Sequence, residues 1–199
     1  MADACATYWA HWPYSVVQSR ALLDHGELPL WNRYNSLGTP LLGQGQSMAG
    51  DPLHLPTVFA RGAVWAWDLK YVLARMLWSL GIGLCVLTLT RYTPAAAITA
   101  CLAAFIGFFA YRMNHPAIFS LCYSPLILLP WLKLREAASQ RGRAVWAMSL
   151  VMANWMQINS GTVKEAYMLI ACLNGTGMVM LLASWNTWRC YRCRLLHAL

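Results

Sequence analysis

Apolar residues run in five windows through the chain after residue 70: Val72 to Thr90, Pro94 to Tyr111, Ala117 to Leu132, Ala144 to Ile158 and Ala166 to Trp185. A helix that crosses a bilayer needs about 20 mostly apolar residues. The first, second and fifth windows meet that length, and the third and fourth are shorter. The pattern predicts an all-α, polytopic integral membrane protein with about five transmembrane helices over residues 71–199. Residues 1–70 read differently. Tyr14, Val17 and Ala21 share one face of a stretch from Pro13 to His25 that Gly26 closes, which predicts an amphipathic helix with Trp9 and Trp12 just before it. Aromatic residues ahead of such a helix suit the membrane interface; docking of the same helix on a soluble partner is the competing reading. From Gly26 to Pro56, five glycines and four prolines forbid a long regular element, while Trp31, Tyr34, Leu37, Leu41 and Leu42 predict a loop packed over the spans.

Composition sharpens this picture. Of 199 residues, 59% are hydrophobic and 11% charged, against about 45–50% and about 25% in a soluble domain. That surplus of apolar surface excludes a secreted disulfide scaffold, a disordered tail and a compact cytosolic enzyme. The net charge of +8 would suggest nucleic acid in a soluble protein, but its distribution removes the suggestion. Residues 1–70 carry five acids (Asp3, Asp24, Glu27, Asp51, Asp68) and four bases (Arg20, Arg33, Arg61, Lys70). The remainder carries two acids, Glu136 and Glu165, and eleven bases. Arg91, then Lys133, Arg135, Arg141 and Arg143, then Arg189, Arg192 and Arg194 fall in alternate linkers, whereas the other two linkers hold only Arg112 and Lys164. By the positive-inside rule the first group is cytoplasmic, so residues 1–70 lie outside. Met1 to Ala10 does not read as a signal peptide; the chain is expected to lack its natural beginning, with translocation of residues 1–70 as an N-tail the alternative.

Several motifs are absent or inert. Cys190 and Cys193 form a C-x-x-C, but no second ligand pair or βαβ context supports a metal or redox site. Four other cysteines (Cys85, Cys101, Cys122, Cys172) fall in apolar windows and read as packing. Asn174-Gly-Thr fits a glycosylation sequon but lies inside a span. There is no Gly-rich phosphate loop, H-E-x-x-H or G-x-S-x-G.

The run Gly26-Glu-Leu-Pro-Leu-Trp-Asn-Arg-Tyr-Asn-Ser-Leu-Gly-Thr-Pro-Leu-Leu-Gly-Gln-Gly-Gln-Ser resembles the first external loop of the YfhO-type bacterial membrane proteins, related to type-C glycosyltransferases. Looser echoes follow at Asn114-His-Pro, Tyr123-Ser-Pro-Leu-Ile-Leu-Leu, Asn159-Ser-Gly and Glu165-Ala-Tyr. Arg33 stands where the family has proline, and Asp51-Pro52 stands for an aromatic-Pro. The resemblance implies a protein of the bacterial cytoplasmic membrane, of which this chain is the early core without its first span. It also implies transfer of a sugar from a polyprenyl-phosphate donor to a cell-envelope glycan or lipid acceptor outside, with membrane lipid as the surrounding partner and no nucleic acid. No cofactor is assigned, and a divalent metal is left open.

Such transfer needs a carboxylate that deprotonates the acceptor or steadies charge on the sugar, and cations for the leaving phosphate. By position in the family's loop the acid is Asp3, with Asp51 as the second candidate; a solvated terminal acid and a turn-forming Asp before Pro are the respective alternatives. Arg33, Arg61, Arg75 and Arg112 are candidate phosphate ligands, with snorkelling to headgroups the alternative for Arg75 and Arg112. His115 is read as a binding candidate or a helix start. Trp31, Asn32, Tyr34, Gln44 and Gln46 are read equally as lining a sugar pocket or as folding the loop. A non-catalytic scaffold whose external loop binds another chain is the alternative function. A transporter is disfavoured because mid-span ionisable groups are missing.

Overall fold

The computed structural model describes residue 9 and residues 11–34, 37–42, 45–111 and 115–196, with side chains described up to residue 184 except at 110 and 111. The apolar windows emerge as helices. After α1 (Trp12–Ser19), which runs on as one π-helical turn over Arg20–Asp24, come two short paired strands, β1 (Trp31–Asn32) and β2 (Thr39–Pro40). A 3-10 turn over Pro52–His54 leads into α2 (Leu55–Phe59). The long helices are α3 (Val64–Thr90), α4 (Thr93–Ala103), α7 (Ser124–Glu136), α8 (Gln140–Ile158) and α9 (Val163–Leu196), with α5 (Gly107–Tyr111) and α6 (Ala117–Cys122) between α4 and α7. Three helical segments are long and apolar enough to cross a membrane: Val64–Thr90, Ala117–Glu136 and Val163–Ser184. Thr93–Phe109 is apolar but shorter.

The middle segment is the hub. About two thirds of Ala117–Glu136 is buried inside the protein, against 22% and 11% for the other two; α7 packs on α3, α8 and α9. Small residues let the helices approach. A Cβ at Gly81 of α3 would stand 2.7 Å from Pro125, and one at Gly83 would stand 2.9 Å from the Cβ of Ala100 on α4. Pro125 sits in the first turn of α7, where its missing N–H costs nothing, while Pro130 lies inside the helix.

The two ends of the bundle are distinct. Arg91, in the left-handed conformation that ends α3, meets Glu136 at 2.6 Å, so the α3–α4 link and the end of α7 lie together. At the opposite end, Ser160 and Thr162 of the α8–α9 turn converge on Ser120 of α6, at 2.7 and 2.6 Å.

The amino-terminal helix forms where the sequence predicts it, ending at Gly26 (φ +65°). Its attachment is the reverse of an ordinary amphipathic helix. His11, Ser15, Gln18 and Ser19 are the buried side, while Tyr14, Val17 and Ala21 are only half-buried. The reason is a row of carbonyls on the following loop: His11 Nδ1 lies 2.8 Å from the Gln46 carbonyl, and Gln18 donates to the Ser47 carbonyl at 2.6 Å. Trp12 Nε1 donates to Gly62 at 2.8 Å.

Between the long helices, Trp131 Nε1 donates to Asn174 Oδ1 at 2.9 Å and Asn174 Nδ2 donates to Asn154 Oδ1 at 2.7 Å, joining α7, α9 and α8. The Asn174-Gly-Thr triplet is thus an interhelical clasp. Hydrogen bonds of this kind contribute about 0.6 kcal/mol each on average and up to about 1.7. Asn174→Leu removes both and is expected to destabilise the folded chain by about 1–3 kcal/mol, measured as a lowered midpoint of unfolding in mixed micelles.

Candidate functional site

The signature loop folds by its own residues. Asn32 is buried and its Oδ1 accepts from the Tyr34 amide at 3.0 Å, closing a turn. The Trp31 ring lies against Gly38 (φ +94°), where any side chain would collide with the indole. Arg33 reaches Glu27 at 3.2 Å on the surface. Arg61 meets Asp24 at 2.6 Å, tying the end of α1 to the turn before α3, and its hydrogen bond holds the Asp24 carboxyl below its usual range. Tyr34 and the Gln46 side chain are exposed. His115 Nδ1 accepts from the Ala117 amide at 3.1 Å, which is a helix-start contact. Asp3, Gln44 and Arg112 lie outside the described residues.

Asp51 is the pivot of the loop. It opens the Pro52–His54 turn with an extended backbone, and its Oδ1 accepts from the Leu53 amide at 3.0 Å and from the hydroxyl of Tyr123. Oδ2 pairs with Lys70 Nζ at 2.8 Å, and both side chains are wholly buried. Lys70 also donates to Met48 Sδ at 2.9 Å, lies 3.3 Å from His54 Nδ1 and stands 4.3 Å above the Phe119 ring. Thr57 Oγ1 lies 2.8 Å from the same His54 nitrogen. Burial, reinforced by the Lys70 charge, holds the His54 imidazole well below its ordinary pKa. Its Nε2 is buried without a partner. The Asp51 carboxylate is therefore ion-paired and sealed from solvent, and it fastens the loop to α3 and to the α6–α7 junction. Among the described residues, none of Trp31, Arg33, Tyr34 or Arg61 hydrogen-bonds or ion-pairs with it.

A second feature opens on the flank of the bundle. A groove of about 700 Å³ runs between α3 and the α4–α6 segment. Its α3 wall is one helical stripe, Asp68, Tyr71, Val72, Arg75, Met76 and Ser79, at the spacing that brings side chains onto a single face. The opposite wall includes Cys101, Phe105 and Phe109. Arg75 lies 5.6 Å over the Phe109 ring and reaches the Phe109 carbonyl at 3.4 Å. It has no carboxylate partner among the described residues. Asp68 is exposed and makes neither hydrogen bond nor ion pair among them.

Of the sequence candidates, the groove therefore takes Arg75 alone, and the buried cluster takes Asp51 alone. The sequence reading did not select Asp68, Lys70, His54 or Tyr123. A helix drawn from Val64, eight residues ahead of the apolar window, would have put Asp68 and Arg75 seven residues apart on one face. Among the described residues no three His, Cys, Asp or Glu side chains gather to hold a metal ion.

Two measurements check this account. Removing one partner of a buried ion pair costs about 3–5 kcal/mol because the other charge is stranded. Asp51→Asn should therefore lower stability by that order, and Asp51→Asn combined with Lys70→Met should recover part of the loss in the same unfolding assay. Burial also pushes His11 down to about 4. A histidine with a depressed folded-state pKa contributes stability that is present above about 6.5 and is lost as pH falls toward the folded value. Amide exchange at Met48 and Gly62, whose N–H groups donate to the Gly45 and Thr57 carbonyls, should accelerate as pH drops from about 6.5 to about 4, after correction for intrinsic rates, with a stability slope of up to about 1.4 kcal/mol per pH unit for each buried histidine. His11→Gln should flatten the His11 part of that slope.

No family model, curated protein or solved structure matches the chain, so the site is read from its own geometry.

Proposed function

We propose that the chain is the membrane core of a glycosyltransferase that draws a sugar from a polyprenyl-phosphate donor and passes it to an extracytoplasmic cell-envelope acceptor. The observation that carries this reading is the groove. It offers a long apolar wall for a prenyl chain and, part-way along it, a guanidinium without a carboxylate partner. Arginine binds phosphate oxygens in paired, charge-assisted hydrogen bonds, so Arg75 takes the lipid phosphate. The resemblance of the Trp31 loop to YfhO-type proteins points the same way. In this reading five helical spans cross a bacterial cytoplasmic membrane, with residues 1–70 outside and the arginine-rich links inside. The Arg91–Glu136 end of the bundle is then cytoplasmic. The Asp51 cluster and the start of α3 are at the outer face, which places Asp68 and Arg75 toward the outer leaflet. Asp3 remains the carboxylate assigned to acceptor activation.

One observation favours the second reading, a partner-binding scaffold: the hairpin presents Trp31, Tyr34 and Leu37 at 54%, 62% and 100% exposure. Membranes bearing the complete reading frame, supplied with radiolabelled polyprenyl-phosphate sugar, separate the two. Arg75→Gln is expected to cut donor use at least tenfold, the loss of one charged hydrogen-bonded contact of about 1.5–3 kcal/mol, and Asp3→Asn to abolish transfer. Absence of turnover together with capture of a second chain by the hairpin would decide for the scaffold.

A further inference from the structure

Asp68 has no part in the reading above, yet it is the carboxylate on the wall of the groove. It stands two helical turns before Arg75 on the same stripe of α3, with Tyr71 and Val72 between them. Seven residues along a helix is a rise of roughly 10 Å, and helical side chains lean toward the helix start. Both side chains lean that way, the longer arginine further than the aspartate. Neither charge is neutralised by an ion pair among the described residues, so the apolar groove carries a cationic point and, above it, an anionic one.

We propose that Asp68 sorts lipids by what lies beyond the phosphate: the groove accepts a phosphodiester lipid with a hydroxyl-bearing headgroup and disfavours the same lipid ending in a bare phosphate. The proposal rests on the assignment of the lipid phosphate to Arg75. An ionised carboxylate only accepts hydrogen bonds, so it pairs with sugar hydroxyls placed above the phosphate. A lipid phosphodiester carries one negative charge. A terminal phosphate carries about 1.5 to 2 at neutral pH, and its extra charge and acceptor oxygens would face Asp68 directly. The loaded donor is therefore held by both groups, whereas the spent carrier is held by Arg75 and repelled by Asp68. This gives the groove a built-in means of releasing its own product. A carboxylate near the mouth of a lipid groove costs binding for every anionic lipid, and discrimination between them is what that cost provides.

The test is equilibrium binding of two short-chain lipids, a glycosyl polyprenyl phosphate and the corresponding polyprenyl phosphate, to the full chain in phosphatidylcholine nanodiscs. Wild type should prefer the glycosylated lipid by about tenfold, the scale of one charged hydrogen bond plus screened repulsion. Asp68→Asn should bring the two affinities within about twofold, mainly by tightening the bare phosphate, while Asp68→Glu should retain the preference. Asp68 is exposed and unpaired, so neither variant disturbs packing. Arg75→Gln should weaken both lipids alike. A preference that survives Asp68→Asn while Arg75→Gln still weakens both lipids overturns the role of Asp68 and leaves the groove assignment standing. Binding indifferent to Arg75→Gln overturns both. Phosphatidylethanolamine that competes with the glycosylated lipid in wild type but not in Asp68→Asn also overturns the proposal, because the carboxylate would then be reading an ammonium.

Discussion

A charge pair without access to water, Asp51 with Lys70, holds the amino-terminal part of this chain on its helices. Placing two ions in such an environment costs several kcal/mol each, and the cost is offset only when geometry is good and the remaining valences are filled. Here they are. Tyr123 and the Leu53 amide complete the carboxylate; Met48, His54 and the Phe119 face surround the ammonium. Because these residues come from the loop, from α3 and from the α6–α7 junction, the pair forms only when all three are assembled. The close contacts around it share that dependence. Gly161 lies against the Met48 side chain and Gly50 against Asn159, so the loop and the α8–α9 turn interlock with no space for a larger residue.

The pair also fixes the start of α3. Lys70 is directed inward, and Asp68, two residues earlier, lies on the outer stripe with Tyr71, Val72 and Arg75. One helix thereby serves two environments: a sealed polar joint on one side and an open, apolar-walled groove on the other. Asp51, selected from sequence as a reactive acid, occupies the joint; its two oxygens are committed to structure.

Helices were legible in the sequence because hydropathy windows report them directly: all five windows carry helix, although the second breaks at 104–106 and the third at Tyr123, and three segments reach spanning length. The start of α3 was not, since Asp68 and Lys70 interrupt the apolar run and read as loop. The placement of Lys70 depends on His54, Asp51 and Met48, 16 to 22 residues away, which no local pattern announces. The burial of α1 inverted for a related reason: its apolar residues defined a face, but the carbonyls of Gln46 and Ser47 gave its polar stripe a better surface to dock on. Asn32 and Trp31 were visible as a motif, whereas their work of closing a turn and covering Gly38 emerges only from backbone geometry. Arg75 could be nominated from charge alone; the groove around it required the packing of α4 and Phe109.

The groove has an open side. Val72, Met76, Leu80 and Phe105 line it and remain largely exposed, and on a spanning helix that exposure faces hydrocarbon. In the proposed reading, a lipid enters there without leaving the bilayer. It diffuses in two dimensions, and its chain exchanges one apolar neighbour for another with little hydrophobic gain. Occupancy then follows the ligand's mole fraction among membrane lipids, not its concentration in water, and selectivity has to come from the polar end.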